Sequence, residues 1–492
     1  MKEFKRLLIL FEVSGDSILK NFIWKLAERL TSQGVSFIVS IVLARLLMPE
    51  QFGVIAMINI FIVLANCFIV SGFSSSLIQK KDADSLDFST IFYCSLIVSA
   101  VVYILIYFGT PAIANFYNEP ILESVTRVYA LTLFISAYNS VQQAWVSRHM
   151  KFRLFFYSTL SGNIVSGVVG IFLAYRGFGV WALVFQALSS QIINSIVLAS
   201  IVEWHPKFEF SIKRAKPLMN YGWKILGSSL ISTIYFELRK LLIGKYYTSS
   251  DLAYYDRGNH IPELVAGNID NSLGQVLFPA LSNYSDNPNM VKQLTRKSMK
   301  ITSFVLFFVL TLLAIIAEPL IRILLTDKWI ECVPFFQLMC IAKMLQTISN
   351  ANLQSYKAVG RSDVVLKLEV VKKPVGFLLI FLSFKISVFA IALTAPIYGL
   401  YSAYVNMSSN RKVLGYTVSE QLQDLKPAFL LSIGMFMVTY FFSYISMPSA
   451  LLLIIQSALC IIVYFGIAKL LKVDSFDYCK GLVVSIIGKI KK

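Results

Sequence analysis

Asp256, His260, Glu263, Gly267, Asp270 and Gly274 step along the chain by 4, 3, 4, 3 and 4 residues, the spacing that lines one face of an α-helix. Carboxylates and an imidazole on a helix within hydrocarbon can relay protons or hold a cation, because ionised groups are costly there and imidazole changes charge near neutral pH. The blander expectation puts Asp256 and Arg257 at the outer interface and Asp270 near the inner one. A second set is cationic: Arg239 and Lys240, Lys343, and Lys372-Lys373 just before Pro374. Arg127 with Glu123, Arg322 with Glu318 and Lys373 with Glu369 have i,i+4 spacing and read as structural pairs. Arg239, Lys240, Lys343 and Lys372 have no such obvious partners. They suit an anionic group, which arginine binds through two parallel hydrogen bonds and lysine as a point charge. Arg29, Gln33, Ser36 and Ser40 share one helical face, as do Thr132, Ser136, Asn139 and Gln143. The hydroxyls there are expected to bond between helices. Arg29 calls for a water-lined cavity, with Glu28 on a different face.

The elements that must carry these residues follow from composition. Of the 492 residues 57% are hydrophobic and only 15% charged, with a mean hydropathy of +0.68, whereas soluble domains run at about 45–50% and about 25%. The chain contains 45 Lys+Arg. About 30 fall at the termini and in every second gap between apolar stretches, about 5 in the alternate gaps, and about 10 inside the stretches. Positive charge in short loops stays on the cytoplasmic side, so both termini are expected inside. A span needs about 20 apolar residues, which predicts about fourteen transmembrane helices, starting near 21, 52, 87, 120, 154, 179, 217, 250, 300, 332, 363, 386, 428 and 449. Residues 473–492 are too short and too basic to span and are expected to lie on the inner surface against anionic lipid.

A weak repeat joins two halves. Leu43-Ala44-Arg45-Leu46 and Pro49-Glu50-Gln51-Phe52-Gly53 at the first exit correspond to Ile243-Gly244-Lys245-Tyr246 and Ser249-Ser250-Asp251-Leu252-Ala253 at the seventh. Six spans separate them, so the repeats are parallel, a common transporter plan. The expected division is an N-lobe over 1–210, a C-lobe over 211–412, spans 13 and 14 over 413–472 and a basic tail over 473–492. At the repeat offset, Ala56, Ile60, Val63 and Val70 stand opposite the four ionisable residues of span 8. The second lobe is charged where the first is greasy.

Other chemistry finds little support. The net charge of +18 is spread over loops with no basic domain to collect it, so nucleic-acid binding is not expected. Asp82-Ala83-Asp84 reads as a metal-holding DxD of a glycosyltransferase, but in a short inner loop without a nucleotide-binding fold. His149, His205 and His260 are scattered, and no phosphate-binding or nucleophile-elbow motif occurs. Cys67, Cys94, Cys332, Cys340, Cys460 and Cys479 form no CxxC pair, so neither disulfide nor zinc is expected. No cofactor is implied, and no removable signal peptide is read at the basic N-terminus.

Trp24-Lys25-Leu26-Ala27-Glu28-Arg29, leading into Leu43 through Gly53, resembles the opening of Wzx-type polysaccharide flippases, especially the colanic and teichuronic acid branch of the MOP superfamily. Arg148-His149-Met150-Lys151-Phe152-Arg153, Leu242-Ile243-Gly244-Lys245 with Tyr254-Tyr255-Asp256-Arg257, and Phe278-Pro279-Ala280-Leu281-Ser282 extend the resemblance over roughly residues 15–285. The family usually has an aspartate before Leu-Ile-Gly in span 7, where Phe236-Glu237-Leu238-Arg239-Lys240 stands here. The resemblance implies an all-α membrane protein: two six-helix lobes in a V, two added helices, and an alternating-access path for undecaprenyl-diphosphate-linked oligosaccharide in a bacterial cytoplasmic membrane. Its implied partners are that lipid-linked oligosaccharide, membrane lipids, a polysaccharide polymerase and a chain-length regulator. The diphosphate is then expected at Arg29, Arg239, Lys240, Lys343 and Lys372, with coupling at Asp256, His260, Glu263 and Asp270. The alternatives are a MATE-like cation-coupled antiporter, which calls for an acidic cavity, and a membrane-embedded polymerase or acyltransferase, which calls for a larger outer loop than any present.

Overall fold

The computed structural model describes residues 16–71, 73–80, 82–445 and 447–481. The basic N-terminus before residue 16 and the end of the basic tail, 482–492, lie outside the described residues. The long helices are α1 (Asp16–Leu46), α2 (Pro49–Asn66, continued by a π-helical turn at Cys67–Ser71), α3 (Ser85–Tyr117), α4 (Thr132–Arg148), α5 (Arg153–Tyr175), α6 (Val180–Ile201), α7 (Ile212–Tyr246), α8 (Ser249–Ser282), α9 (Pro288–Ile315), α10 (Val333–Ala358), α11 (Ser362–Ser383), α12 (Val388–Leu414), α13 (Val418–Tyr440) and α14 (Ser449–Leu470). No β-strand occurs among the described residues. Ten helical stretches there are long and apolar enough to cross a membrane, built on α2 to α6, α9, α10 and α12 to α14. α1 adds a shorter apolar helix at Thr31–Leu46. Arg29, Arg239 with Lys240, the Asp256–Asp270 series and Lys372 all lie on the other four long helices, α1, α7, α8 and α11.

Local chemistry sets the helix ends. Pro49 opens α2, where a missing N–H costs nothing, and the Met48 N–H donates to the Gln51 side chain at 3.1 Å. α3 starts with a reciprocal cap. The Asp87 N–H donates to the Asp84 carboxylate at 3.0 Å, and the Asp84 N–H to the Asp87 carboxylate at 3.1 Å. Thr417 and Glu420 do the same for α13. α12 stops at Gly415, whose φ of 66° is left-handed and natural to glycine.

By packing, the chain divides into Met1–Ala253 and Tyr254–Lys492. That boundary follows contacts, whereas a boundary at 210/211 follows the repeat; between the two lies α7. In the first unit α1, α5 and α6 bury Leu43, Leu47, Ala174 and Leu183 together, while α3, α4 and α6 bury Ile91, Trp145, Val146 and Leu198. α7 joins this unit by packing on α2 and α3, and the Cys67 thiol lies 3.3 Å from the Thr233 hydroxyl. The Ser250 hydroxyl donates to Glu50 at 2.8 Å across a sequence separation of 200, the offset of the repeat. In the second unit α9 is the hub. Met299 packs with Ile348, Met407 and Leu425, and Phe304 with Met435, Cys460 and Tyr464. The Tyr464 hydroxyl donates to the Phe304 carbonyl at 2.7 Å, pinning α14 to α9.

The start of α2 packs so closely on residue 249 that a Cβ at Gly53 would overlap the Ser249 carbonyl. Gly53→Ala should therefore destabilise the protein by about 1–3 kcal/mol through overpacking. Gly109→Ala, whose added Cβ would meet no atom within 4 Å, should be neutral or slightly stabilising. Thermal unfolding midpoints of both variants in one detergent measure the contrast, and equal midpoints would refute the close contact.

Candidate functional site

α8 continues as one helix past Pro262 and Pro279, so the 4-3-4-3-4 series occupies a single face. That face meets α10. Glu263 forms an ion pair with Lys343, the Asn350 amide donates to Asp270 at 2.6 Å across a separation of 80, and Gly274 lies against the Gln354 amide. Each contact joins a residue of α8 to the one 80 positions later, so the two helices run parallel in one register. The Glu263 side chain is about half exposed and Lys343 only 14% exposed, which makes the seam accessible along one edge. Lys343 also donates to Gln346 at 2.9 Å. Nearer the start of α8, Asp256 is half-buried, His260 is exposed, and Arg257 lies over the Trp329 ring at 5.4 Å. Asn350 and Gln354 fall outside the residues that the sequence reading singles out. Their signal is present all the same, since Lys343, Thr347, Asn350 and Gln354 repeat the 4-3-4 step in α10.

The cations without obvious partners in sequence are not isolated. Lys240 lies 3.5 Å from Glu237, Lys343 pairs with Glu263, and Lys372 is 2.7 Å from Glu369. This corrects the expectation for three of the four. Glu369 reaches Lys372 at i,i+3, because Lys372 shares the buried face of α11 with Leu368 and Gly376, where a charge most needs a counter-ion. Arg239 is 8% exposed, its guanidinium 5.8 Å from the Tyr235 ring. Arg29 is half-buried on α1. The structural pairs expected at Arg127–Glu123 and Arg322–Glu318 form, at 2.7 and 3.1 Å.

The polar faces of the first unit behave differently from each other. Ser36 of α1 lines a cavity of about 200 Å³ with Asn163, Ser166, Gln186 and Ser190. The middle of the α4 face is taken up by its neighbour α6: Ser136 donates to Gln191 at 3.2 Å and Ser195 to Asn139 at 2.7 Å. Ser136 and Asn139 thus make helix–helix contacts, as the interhelical expectation has it, whereas the Thr132 hydroxyl donates to the Tyr129 carbonyl at 2.7 Å and Gln143 is exposed. The DxD residue Asp84 serves as the α3 cap and pairs with Arg214 at 2.6 Å. The Asp87 N–H and then Arg214 hold its carboxyl below the usual carboxylate range. Asp87 itself is buried against Lys80 at 2.6 Å. These contacts occupy Asp84 as a loop clamp. In the second unit an apolar groove of about 580 Å³ is lined by Phe307, Leu338, Ile341, Phe389, Phe436 and Met437.

A family model described as "Polysaccharide biosynthesis protein" matches residues 42–334 of the chain. The chain is similar to the succinoglycan biosynthesis transport protein ExoT of Rhizobium meliloti, at 22% identity over 72% of each chain. It is similar to the teichuronic acid biosynthesis protein TuaB of Bacillus subtilis, at 23% identity over 77% of this chain and 79% of that one. The lipopolysaccharide biosynthesis protein WzxC of Escherichia coli is 20% identical over 71% of each. Among solved structures, the lipid II flippase MurJ in an inward closed conformation superposes with a TM-score of 0.76 at 15% identity, covering 92% of this chain and 99% of its own. An inward-facing MATE family transporter of the MOP superfamily gives 0.62 at 15% identity, covering 80% and 98%.

If the Lys343–Glu263 pair holds the α8–α10 seam, Lys343→Gln and Glu263→Gln should each destabilise the protein, and the double variant by less than their sum. The coupling should be about 1 kcal/mol, kept small by the half-exposed carboxylate. A double-mutant cycle on detergent-solubilised protein measures it. Additivity within about 0.3 kcal/mol would show that the pair contributes nothing.

Proposed function

The chain belongs to the polysaccharide biosynthesis protein family of Wzx-type transporters, multi-pass membrane proteins with the MOP fold and not enzymes, and we propose that it flips a lipid-linked oligosaccharide. In this reading an undecaprenyl-diphosphate-linked repeat unit crosses the cytoplasmic membrane of a bacterium by alternating access, from the inner to the outer leaflet. The chain would cross fourteen times, in two six-helix lobes with α13 and α14 added, and both termini would be cytoplasmic. A polymerase and a chain-length regulator would receive the product.

One observation carries the reading. Among the described residues, ten apolar helical stretches stand alongside four further long helices, α1, α7, α8 and α11, with charged residues in their interiors. Charged residues in spans tend to mark substrate and ion pathways. Arg29, Arg239, Lys240, Lys343 and Lys372 would meet the diphosphate. The carboxylates now paired with the three lysines would hold those cations between turnovers and yield to phosphate, which offers more acceptor oxygens. Asp256, His260, Glu263 and Asp270 would couple movement to an ion or to the membrane potential. The cavity beside Ser36 would suit hydroxyl-rich sugar, and the apolar groove of the second unit an isoprenoid chain.

Leaflet accessibility of the lipid-linked oligosaccharide tests this. Arg239→Ala should lower outer-leaflet delivery by about tenfold or more, the equivalent of one charge-assisted hydrogen bond, at unchanged protein level, and Arg239→Lys should restore part of it. Unchanged delivery by Arg239→Ala would remove this residue from the mechanism.

A further inference from the structure

Beyond the transport path, α9 carries a second stripe that ends at the basic inner loop. Gln293, Arg296, Lys297 and Lys300 lie on it, followed by Ile301, Phe304, Val305 and Phe308, so it turns from basic to aromatic along one face. A helical segment at 474–481 lies against this stripe, the Ser475 hydroxyl donating to the Lys300 carbonyl at 3.4 Å. Two adjoining cavities result. The first, about 330 Å³, is lined by Arg296, Lys297, Lys300, Asp474 and Tyr478. The second, about 340 Å³, is lined by Phe304, Phe308, Phe465, Phe476 and Cys479, with Lys480 as its one charged residue among the described residues.

We propose that these two cavities form one site for an anionic glycerophospholipid of the inner leaflet, its phosphate held by Arg296, Lys297 and Lys300 and an acyl chain lying in the aromatic cavity. Charge complementarity favours an anionic lipid. Lys292 pairs with Glu420 at 2.9 Å, and Arg296 and Lys300 share Asp424 at 2.7 and 3.2 Å. With Asp474 counted, and with Lys480 at the second cavity, Lys292, Arg296, Lys297, Lys300 and Lys480 exceed these carboxylates by two charges, an excess that the phosphodiester of an anionic lipid reduces. Lys297 faces no carboxylate of that network; its ammonium lies 4.4 Å from the Tyr478 ring centroid, within reach of a phosphate by a rotamer change. Geometry agrees as well. From Arg296 to Phe308 is about 18 Å of helix at 1.5 Å per residue, which carries a ligand from head-group level into hydrocarbon. The bound lipid would tie the segment at 474–481 to α9 and so fix α14, whose Tyr464 and Phe465 pack on the same helix.

The full-length protein in detergent tests this by thermal shift and native mass spectrometry. Dioleoyl phosphatidylglycerol should bind and raise the unfolding midpoint, while dioleoyl phosphatidylcholine and inorganic phosphate should not. Lys297→Gln should weaken phosphatidylglycerol binding about tenfold, one charge-assisted contact, and Lys297→Arg should retain it. Val305→Trp, at an exposed position, should block the dioleoyl lipid but not a dihexanoyl one. Equal binding of phosphatidylcholine, an equal shift with inorganic phosphate, or unchanged affinity in either Lys297→Gln or Val305→Trp would overturn the proposal.

Discussion

A charged side chain inside a bilayer must find water or a counter-charge, because moving an ion into a low-dielectric medium costs several kcal/mol even after relaxation. Much of this structure answers that demand. Among the described residues ten helical stretches are long and apolar enough to cross a membrane, while Arg29, Arg239, Lys240, Glu263 and Lys372 lie on the other long helices, α1, α7, α8 and α11. Three lysines there have carboxylates beside them: Lys240 has Glu237, Lys372 has Glu369, and Glu263 of α8 holds Lys343 of α10.

Pairing by carboxylates changes what the cations mean. A lysine buried without a counter-charge is costly, and a glutamate beside it offsets much of that cost. The α8–α10 seam shows how such pairing is built. Two parallel helices in one register present matching polar series, so Glu263, Asp270 and Gly274 on α8 each meet a donor on α10. At the ends of the helices the same principle appears in loop clamps. Asp84 caps α3 while binding Arg214, and Asp424 accepts from Arg296, Lys300 and Tyr416 at once. Asp84, which the DxD spacing alone would assign to metal chemistry, is occupied in fixing a loop to a helix start.

Fold similarity to MurJ and to a MATE transporter extends over most of the chain at 15% identity. Such similarity reflects the helical plan, which hydropathy and loop charge enforce whatever is transported. The side chains carried on that plan differ along the chain. The series of α8 is ionisable where the corresponding stretch of α2 and its π-helical turn holds Ala56, Ile60, Val63 and Val70.

Much of the fold is legible in the chain itself. Hydrophobic stretches and basic gaps locate the helices, because burial in lipid demands length and apolarity that composition displays directly. The pairs Arg127–Glu123 and Arg322–Glu318 are legible too, since i,i+4 neighbours meet by helix geometry alone. Chain order does not reveal the partner of Lys343, which lies 80 residues away, nor that Asn350 and Gln354 complete its seam. It does not show that Lys372 is buried beside Leu368 and Gly376, because that depends on which face of α11 is covered. Nor does it tell that α6 takes up Ser136 and Asn139 of α4 while Ser36 lines a cavity. Periodicity assigns a residue to a face of its own helix; what that face meets is settled only when helices distant in sequence pack together.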